Sequence, residues 1–268
     1  MIRHRGRSRP FSPYRYRLPA SLSWAGAPGR LEIRLEHITT ATGFSFAQAG
    51  WHPHVETLRW LDSRAERGHD EVQESPLARL YSAFQPSTVQ EALFEDRNDP
   101  IPGLSDVSLV RGQLRDLWNP YSPRQSGSLD RPGLYWGPAS HEHVETELQR
   151  TLALYTSLAE RGLRDEGPGK DAIAGHLLVR GDQYRSMVHE GHHRLACLTA
   201  LGHTDGVPVW LVPNHPPVVC EDDLGRWTNG AHPRYSPVSA QLLFQRLFES
   251  TGVEKASRLG LLSSPSRR

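Results

Sequence analysis

The sequence predicts an α/β fold of the α+β kind: a small mixed sheet with helices, preceded by an irregular extension and closed by a C-terminal helix. Three observations predict it. Leu31 to Ile38 alternates apolar and charged residues, the period of a strand with one buried face. Val144, Leu148, Leu152, Tyr155 and Leu158 recur at three- and four-residue intervals, which lines one side of a helix. From Ile173 to Val212 the pattern runs strand, turn, strand, helix, strand.

Taken in order, residues 1–30 form a basic arm expected to be disordered, carrying Arg3, Arg5, Arg7, Arg9, Arg15 and Arg17 with no acid among them. Residues 31–138 form a Pro/Gly-rich extension. It holds the strand at Leu31, short helices from His54 to Leu61 and from Pro76 to Phe84, and loops from Asn98 onward, where Pro100, Pro102, Pro120, Pro123, Pro132 and Pro138 interrupt any ladder. Residues 139–215 form the predicted α/β core. A helix starts at His141 and stops at Gly162, Ile173 to Arg180 and Tyr184 to Val188 form a hairpin around Gly181-Asp182, a helix from His192 to Leu201 ends at Gly202, and Val207 to Val212 is a strand. In residues 216–268, Ser236 caps a helix with Pro237 in its first turn and Leu242, Leu243, Leu247 and Phe248 along it, before a tail from Ser263. The whole reads as one domain.

Charge and composition exclude some classes of function. The 31 basic and 30 acidic residues give a net charge of +1, too small a field to draw the whole molecule to nucleic acid or membrane. Nucleic acid remains a possible partner only through the basic arm. No apolar run reaches the ~18 residues of a membrane span, and the Arg-rich start lacks the apolar segment of a secretory signal, so the expected location is cytoplasmic with no membrane partner. Cys197 and Cys220 make no disulfide framework.

The chemistry concentrates where the second hairpin strand runs into Glu190-Gly191-His192-His193-Arg194 at the start of a helix. A glycine there lets the backbone turn tightly and approach a ligand, while the first N–H groups of the helix and its dipole favour an anion. Arg194 adds a planar fork for phosphate oxygens, and His192 and His193 add imidazoles that can donate hydrogen bonds or move a proton.

These residues, continuing through Leu195, Ala196 and Cys197 to Gly202 and then Val207-Pro208-Val209, resemble the ParB/sulfiredoxin superfamily, in which a strand leads into a Gly-containing phosphate motif, a helix and a Val-Pro strand. The preceding helix, ending Ser157 to Gly162, and the strand from Ile173 are similar to that superfamily's order of elements. The resemblance covers roughly 75 residues. It implies a ParB/sulfiredoxin-like domain over 139–215 that binds a nucleotide or another phosphorylated small molecule.

His192 stands where sulfiredoxins carry the catalytic cysteine, so sulfinic acid reduction is not implied. The partitioning branch reads Gly-Glu-Arg-Arg and continues into a helix-turn-helix domain, for which the roughly 50 residues after Val212 are few. The Glu-Gly-His-His-Arg form is similar to the free-serine-kinase branch. On that resemblance, ATP, ADP or CTP with Mg²⁺ would bind at Gly191, His192, His193, Arg194 and Ser157, Glu190 would bind Mg²⁺ or orient a hydroxyl, and Glu190, His192, His193 and Glu160 are the candidate catalytic groups of a small-molecule kinase or nucleotide hydrolase.

Two other readings use the same residues. His189-Glu190-Gly191-His192-His193 also spells H-E-x-x-H, a zinc hydrolase motif in which histidines one helical turn apart hold the metal; it requires His189 on a helix and a third ligand such as His203 or Asp205. A non-enzymatic nucleotide-sensing or DNA-contacting module would use the same phosphate grip together with the basic arm. His52 with His54, and His141 with His143, could each be half of a metal site, but i,i+2 pairs on a strand or loop seldom converge on a metal without further ligands, so neither is expected to hold one. The scattered tryptophans, among them Trp51 and Trp118, are expected in the core rather than stacked on bases.

Overall fold

The structure, a computed structural model, describes residues 18–22, 29–63, 72–109, 114, 117–118, 135–164, 167, 172–212, 216–228 and 235–262. The arginines of the basic arm and most of the Pro-rich stretch beyond 110 lie outside the described residues.

A mixed six-stranded sheet organises the molecule. Strands β3 (Ala174–Arg180) and β4 (Gln183–Glu190) form the predicted hairpin, with Arg180 opposite Gln183 and Gly181 at φ 55° in the first turn position. That positive φ is what a two-residue type II′ turn demands. β1 (Arg30–Arg34) and β5 (Gly206–Leu211) pair antiparallel, β2 (Ile38–Thr40) pairs parallel with β4, and the order is β1-β5-β3-β4-β2. β6 (Val218–Cys220) pairs with the stretch of β3 beyond β5. Both faces of β3 are covered: Leu177 and Val179 join Leu195 and Leu198 in one cluster, while Leu178 joins Met187, Phe244 and Trp118 in the other. Burial on both faces is why the strand is continuously apolar over Leu177 to Val179 instead of alternating.

The single strand predicted over Leu31 to Ile38 is two strands. A 3₁₀ turn at Leu35–His37 divides it, burying Leu35, and sends the chain from one edge of the strand order to the other. The four residue steps from Arg34 to Ile38 span at most about 14 Å. Four strand spacings in a flat sheet need about 19 Å, so the sheet must curl until its edges approach. Alternation predicts a pleat but carries no information about which neighbour each half will find.

The helices follow their end signals. α1 (Pro53–Asp62) and α2 (Pro76–Ala83) open with proline in the first turn. α4 (His141–Arg161) starts at Ser140, whose hydroxyl accepts from the His143 N–H, and ends at Gly162; α6 (Pro237–Glu249) is capped in the same way by Ser236. α5 (His192–Ala200) lies against both α1 and α4. α3 (Val89–Leu93) and α7 (Val253–Arg258), like β6, are too short to register as periodicity.

Because β1 and β2 precede residue 139 and β6 follows residue 215, the sheet draws on chain from both sides of the predicted core segment. Trp118 is fully buried and Trp51 nearly so, within the cluster that also holds Phe44 and Phe244. Cys197 and Cys220 are both free thiols. Among the described residues, no helix is long and apolar enough to cross a membrane.

Candidate functional site

The junction between β4 and α5 is a strand–glycine–helix turn. Gly191 sits at φ 85°, and a Cβ there would lie 2.8 Å from Ile173 Cγ1 and 2.9 Å from Ile173 Cα. Both the backbone conformation and the packing therefore exclude a side chain. As N-cap, Gly191 offers no side-chain acceptor to the first turn, in contrast to Ser140 and Ser236. No acid lies in that turn, and Gly191, His192, His193 and Arg194 are all half-buried at the edge of solvent. Glu190 ends β4 immediately before the turn.

This arrangement corrects the H-E-x-x-H reading. His189 and Glu190 lie in β4, extended, while His193 lies in α5, so the two outer histidines are not one helical turn apart on a common helix. The His189 ring instead meets His176, Nε2 to Nδ1 at 3.0 Å. His203 and Asp205 follow the far end of α5 and cannot supply the third ligand.

Ser157 and Glu160, expected at the phosphate grip and among the catalytic groups, are placed elsewhere by α4. The His193 Nε2–H donates to Glu147 Oε2 at 2.8 Å, and Cys197 Sγ meets the Thr151 carbonyl at 3.6 Å, so α4 and α5 run parallel with the start of α5 level with Glu147. Ser157 and Glu160 therefore lie about 15 Å and about 20 Å along α4 from Glu147, toward the wrong end of α5. Ser157 accepts a hydrogen bond from Arg161, and Glu160 is exposed. The structure keeps Glu190, Gly191, His192, His193 and Arg194 together and separates Ser157 and Glu160 from them.

Behind the first turn of α5 lies a nest of imidazoles. His192 donates from Nε2 to the His189 carbonyl at 3.0 Å, which leaves its Nδ1 unprotonated; that atom is buried with no hydrogen-bond partner among the described residues. Burial, followed by the neighbouring His193, pushes the His192 pKa down to about 3. His52 is hydrogen-bonded through Nε2 to the Tyr135 hydroxyl at 3.0 Å and stacks on Phe46. Burial holds His52 and His54 well below the usual imidazole range. Glu147 has its carboxyl lowered, first by the His193 hydrogen bond and against the cost of burial.

His54 is defined most sharply. The Thr151 hydroxyl, with a single proton, donates to the Glu147 carbonyl at 2.7 Å, so at 3.4 Å it accepts from His54 Nδ1–H. The Nε2 of His54 is then a bare lone pair, fully buried and without a hydrogen-bond partner among the described residues. The His54 and His193 rings lie 4.7 Å apart, and His54, Glu147 and His193 each bring a ligand-type atom within 4.8 Å of the others.

His54 escapes a reading of the sequence because an i,i+2 pair alone offers too few ligands, and Glu147 and His193 lie far along the chain. The chain changes conformation between the two histidines: His52 is extended at φ −144°, whereas His54 is already in the first turn of α1. The ring centroids lie 5.8 Å apart. The available signal was Pro53, a helix-opening residue, between them. His141 and His143 face different partners: His141 pairs with Glu145 in solvent, and His143 meets the Tyr81 ring.

Comparison of the chain with family models, with curated proteins and with solved structures finds no match.

Proposed function

We propose that the protein binds a phosphorylated small molecule, a nucleotide foremost, at the β4–Gly191–α5 turn, as the resemblance of Glu190-Gly191-His192-His193-Arg194 to the ParB/sulfiredoxin superfamily implies. One observation carries this reading. The first turn of α5 begins at a glycine that supplies no cap and admits no Cβ, has no acid, and borders solvent beside Arg194. An anion at that place is favoured by the N–H groups and by the helix dipole. Arg194 would grip phosphate oxygens, and Glu190, at the end of β4, would hold Mg²⁺ carried in by ATP, ADP or CTP. The His193 side chain is turned inward to Glu147, so its contribution to the grip is its backbone. Phosphoryl transfer to an acceptor hydroxyl is the further step that the kinase resemblance implies, with Glu190 as the acid/base candidate nearest the turn.

The test is nucleotide titration of purified protein in Mg²⁺, followed by calorimetry or thermal shift. Arg194→Ala is expected to weaken binding by about 1.5–3 kcal/mol, the value of a charged hydrogen bond. Unchanged affinity in a folded variant rejects the site. Little loss of binding between low and moderate salt would separate a small pocket from a duplex contact.

A further inference from the structure

We propose that His54, Glu147 and His193 form a binding site for one divalent transition-metal ion of the zinc class, with α1, α4 and α5 each supplying one ligand. The site does not depend on the phosphate reading, although both use the first turn of α5.

His54 anchors the site. A core histidine that serves packing alone has its ring nitrogens satisfied, because an unpaired polar atom in the interior is costly. Here the Thr151 hydroxyl fixes the tautomer so that a lone pair, not a proton, occupies Nε2, and that atom is fully buried with no hydrogen-bond partner among the described residues. Support of the second ring nitrogen by a hydroxyl is the arrangement that holds a metal-ligating imidazole in place. The other two groups are a second imidazole and a carboxylate already 2.8 Å apart. A set of two nitrogens and one oxygen suits zinc and its neighbours rather than Mg²⁺ or Ca²⁺, which prefer oxygen alone.

The fit requires a small adjustment. Bonds of about 2.0–2.1 Å to nitrogen and oxygen place tetrahedral ligands roughly 3.3 Å apart. His193 and Glu147 are now closer than that because they share a proton, and the full set lies within 4.8 Å. Metal entry replaces the His193–Glu147 hydrogen bond. The Nε2 proton of His193 shifts to Nδ1 from the neutral ring, or goes to solvent from the imidazolium, whose Nδ1 keeps its own proton, and the freed lone pair and the carboxylate both turn to the ion. Three protein ligands leave a fourth position open, as in hydrolytic metal sites. Since His193 belongs to the turn proposed to hold phosphate, an ion here would stand next to the bound anion.

The experiment uses the full chain, stripped with chelator and titrated with Co²⁺ and then Zn²⁺, without nucleotide. The expected result is one equivalent of Co²⁺ per chain with the visible absorption of a low-coordinate ion, abolished by Zn²⁺. Glu147→Gln and His54→Leu should each weaken binding by more than the roughly 10–100-fold expected for Thr151→Val, which removes only the outer hydrogen bond. His141→Ala, whose ring is in solvent, should bind as the native chain does. Circular dichroism distinguishes lost ligation from lost folding; if one variant fails to fold, the other decides. Failure of the native chain to retain Co²⁺, or unchanged affinity in a folded Glu147→Gln or His54→Leu chain, overturns the site. Because nucleotide is absent, neither outcome bears on the phosphate reading, which stands or falls with Arg194→Ala.

Discussion

Two buried polar sites in this molecule were solved in opposite ways. Lys255 is almost wholly enclosed, yet its ammonium donates to the Thr42 and Ala92 carbonyls at 2.9 and 2.6 Å, lies 3.5 Å from Glu95, and rests over the Phe84 ring. Its charge is answered from within the fold. In the histidine nest, His52 Nδ1, His54 Nε2 and His192 Nδ1 are equally buried and have no hydrogen-bond partner among the described residues. The first site meets its ammonium with two hydrogen bonds, leaving Glu95 Oε2, buried at 3.5 Å, without one among the described residues, and ties α7 to α3 and to the segment after β2. The second bears a cost, which an ion at His54 Nε2 would lower.

The contrast can be broken most forcefully at Lys255. Lys255→Met leaves the Thr42 and Ala92 carbonyls without their cation, while Glu95 keeps Arg258 at 3.1 Å, and should destabilise the fold by about 3–5 kcal/mol in urea denaturation, since each carbonyl loses a charged hydrogen bond. An effect below about 1 kcal/mol would show that the ammonium is not what joins these elements.

A pH measurement sharpens the same point. Burial, only partly offset by Glu95, lowers the Lys255 pKa from 10.5 to about 8. Between those values the unfolded chain binds more protons than the folded one, so this group makes stability rise with pH across that window. The penalty on the charged form is fully present below about pH 8 and is relieved toward pH 10.5, a change of about 3 kcal/mol. Stability measured from pH 7.5 to 10.5 in native protein and in Lys255→Met should differ in slope by this contribution; parallel curves would contradict it.

The smallest expected effect belongs to the nest. Without metal, His54→Leu removes an imidazole whose Nε2 has no hydrogen-bond partner among the described residues and leaves the Thr151 hydroxyl donating to the Glu147 carbonyl. Its stability should match the native chain within about 1 kcal/mol, since replacing an unsatisfied polar group by an apolar one of similar shape is nearly neutral. Saturating Zn²⁺ should then stabilise the native chain and not the variant, by about 2.7 kcal/mol at a hundredfold excess over Kd. A large loss in metal-free His54→Leu would mean that the imidazole is structural after all.

The difference between the two sites also marks what could be read from the sequence. Pro53 places His54 in a helix, but the partners of neither Lys255 nor His54 can be read locally: Thr42 is 213 residues from Lys255, and Thr151 is 97 from His54. The strand–glycine–helix turn could be read because everything it needs falls within Glu190 to Arg194. Ser157 and Glu160 were assigned to it through the order of elements, and order does not reveal whether two helices run parallel or antiparallel.

The sequence by itself determined the elements whose signals are local. Ser140 and Gly162 bound α4, Gly181 closes the β3–β4 hairpin, Gly191 forces the turn into α5, and Ser236 opens α6. Each rests on a backbone preference or a hydrogen bond within a few residues. Only the tertiary structure decided that the strand from Leu31 divides between two edges of a curled sheet, and that α1 and α4 deliver His54 and Glu147 to His193. Those outcomes come from burying several apolar faces at once, a condition on the whole chain that no short window of sequence contains.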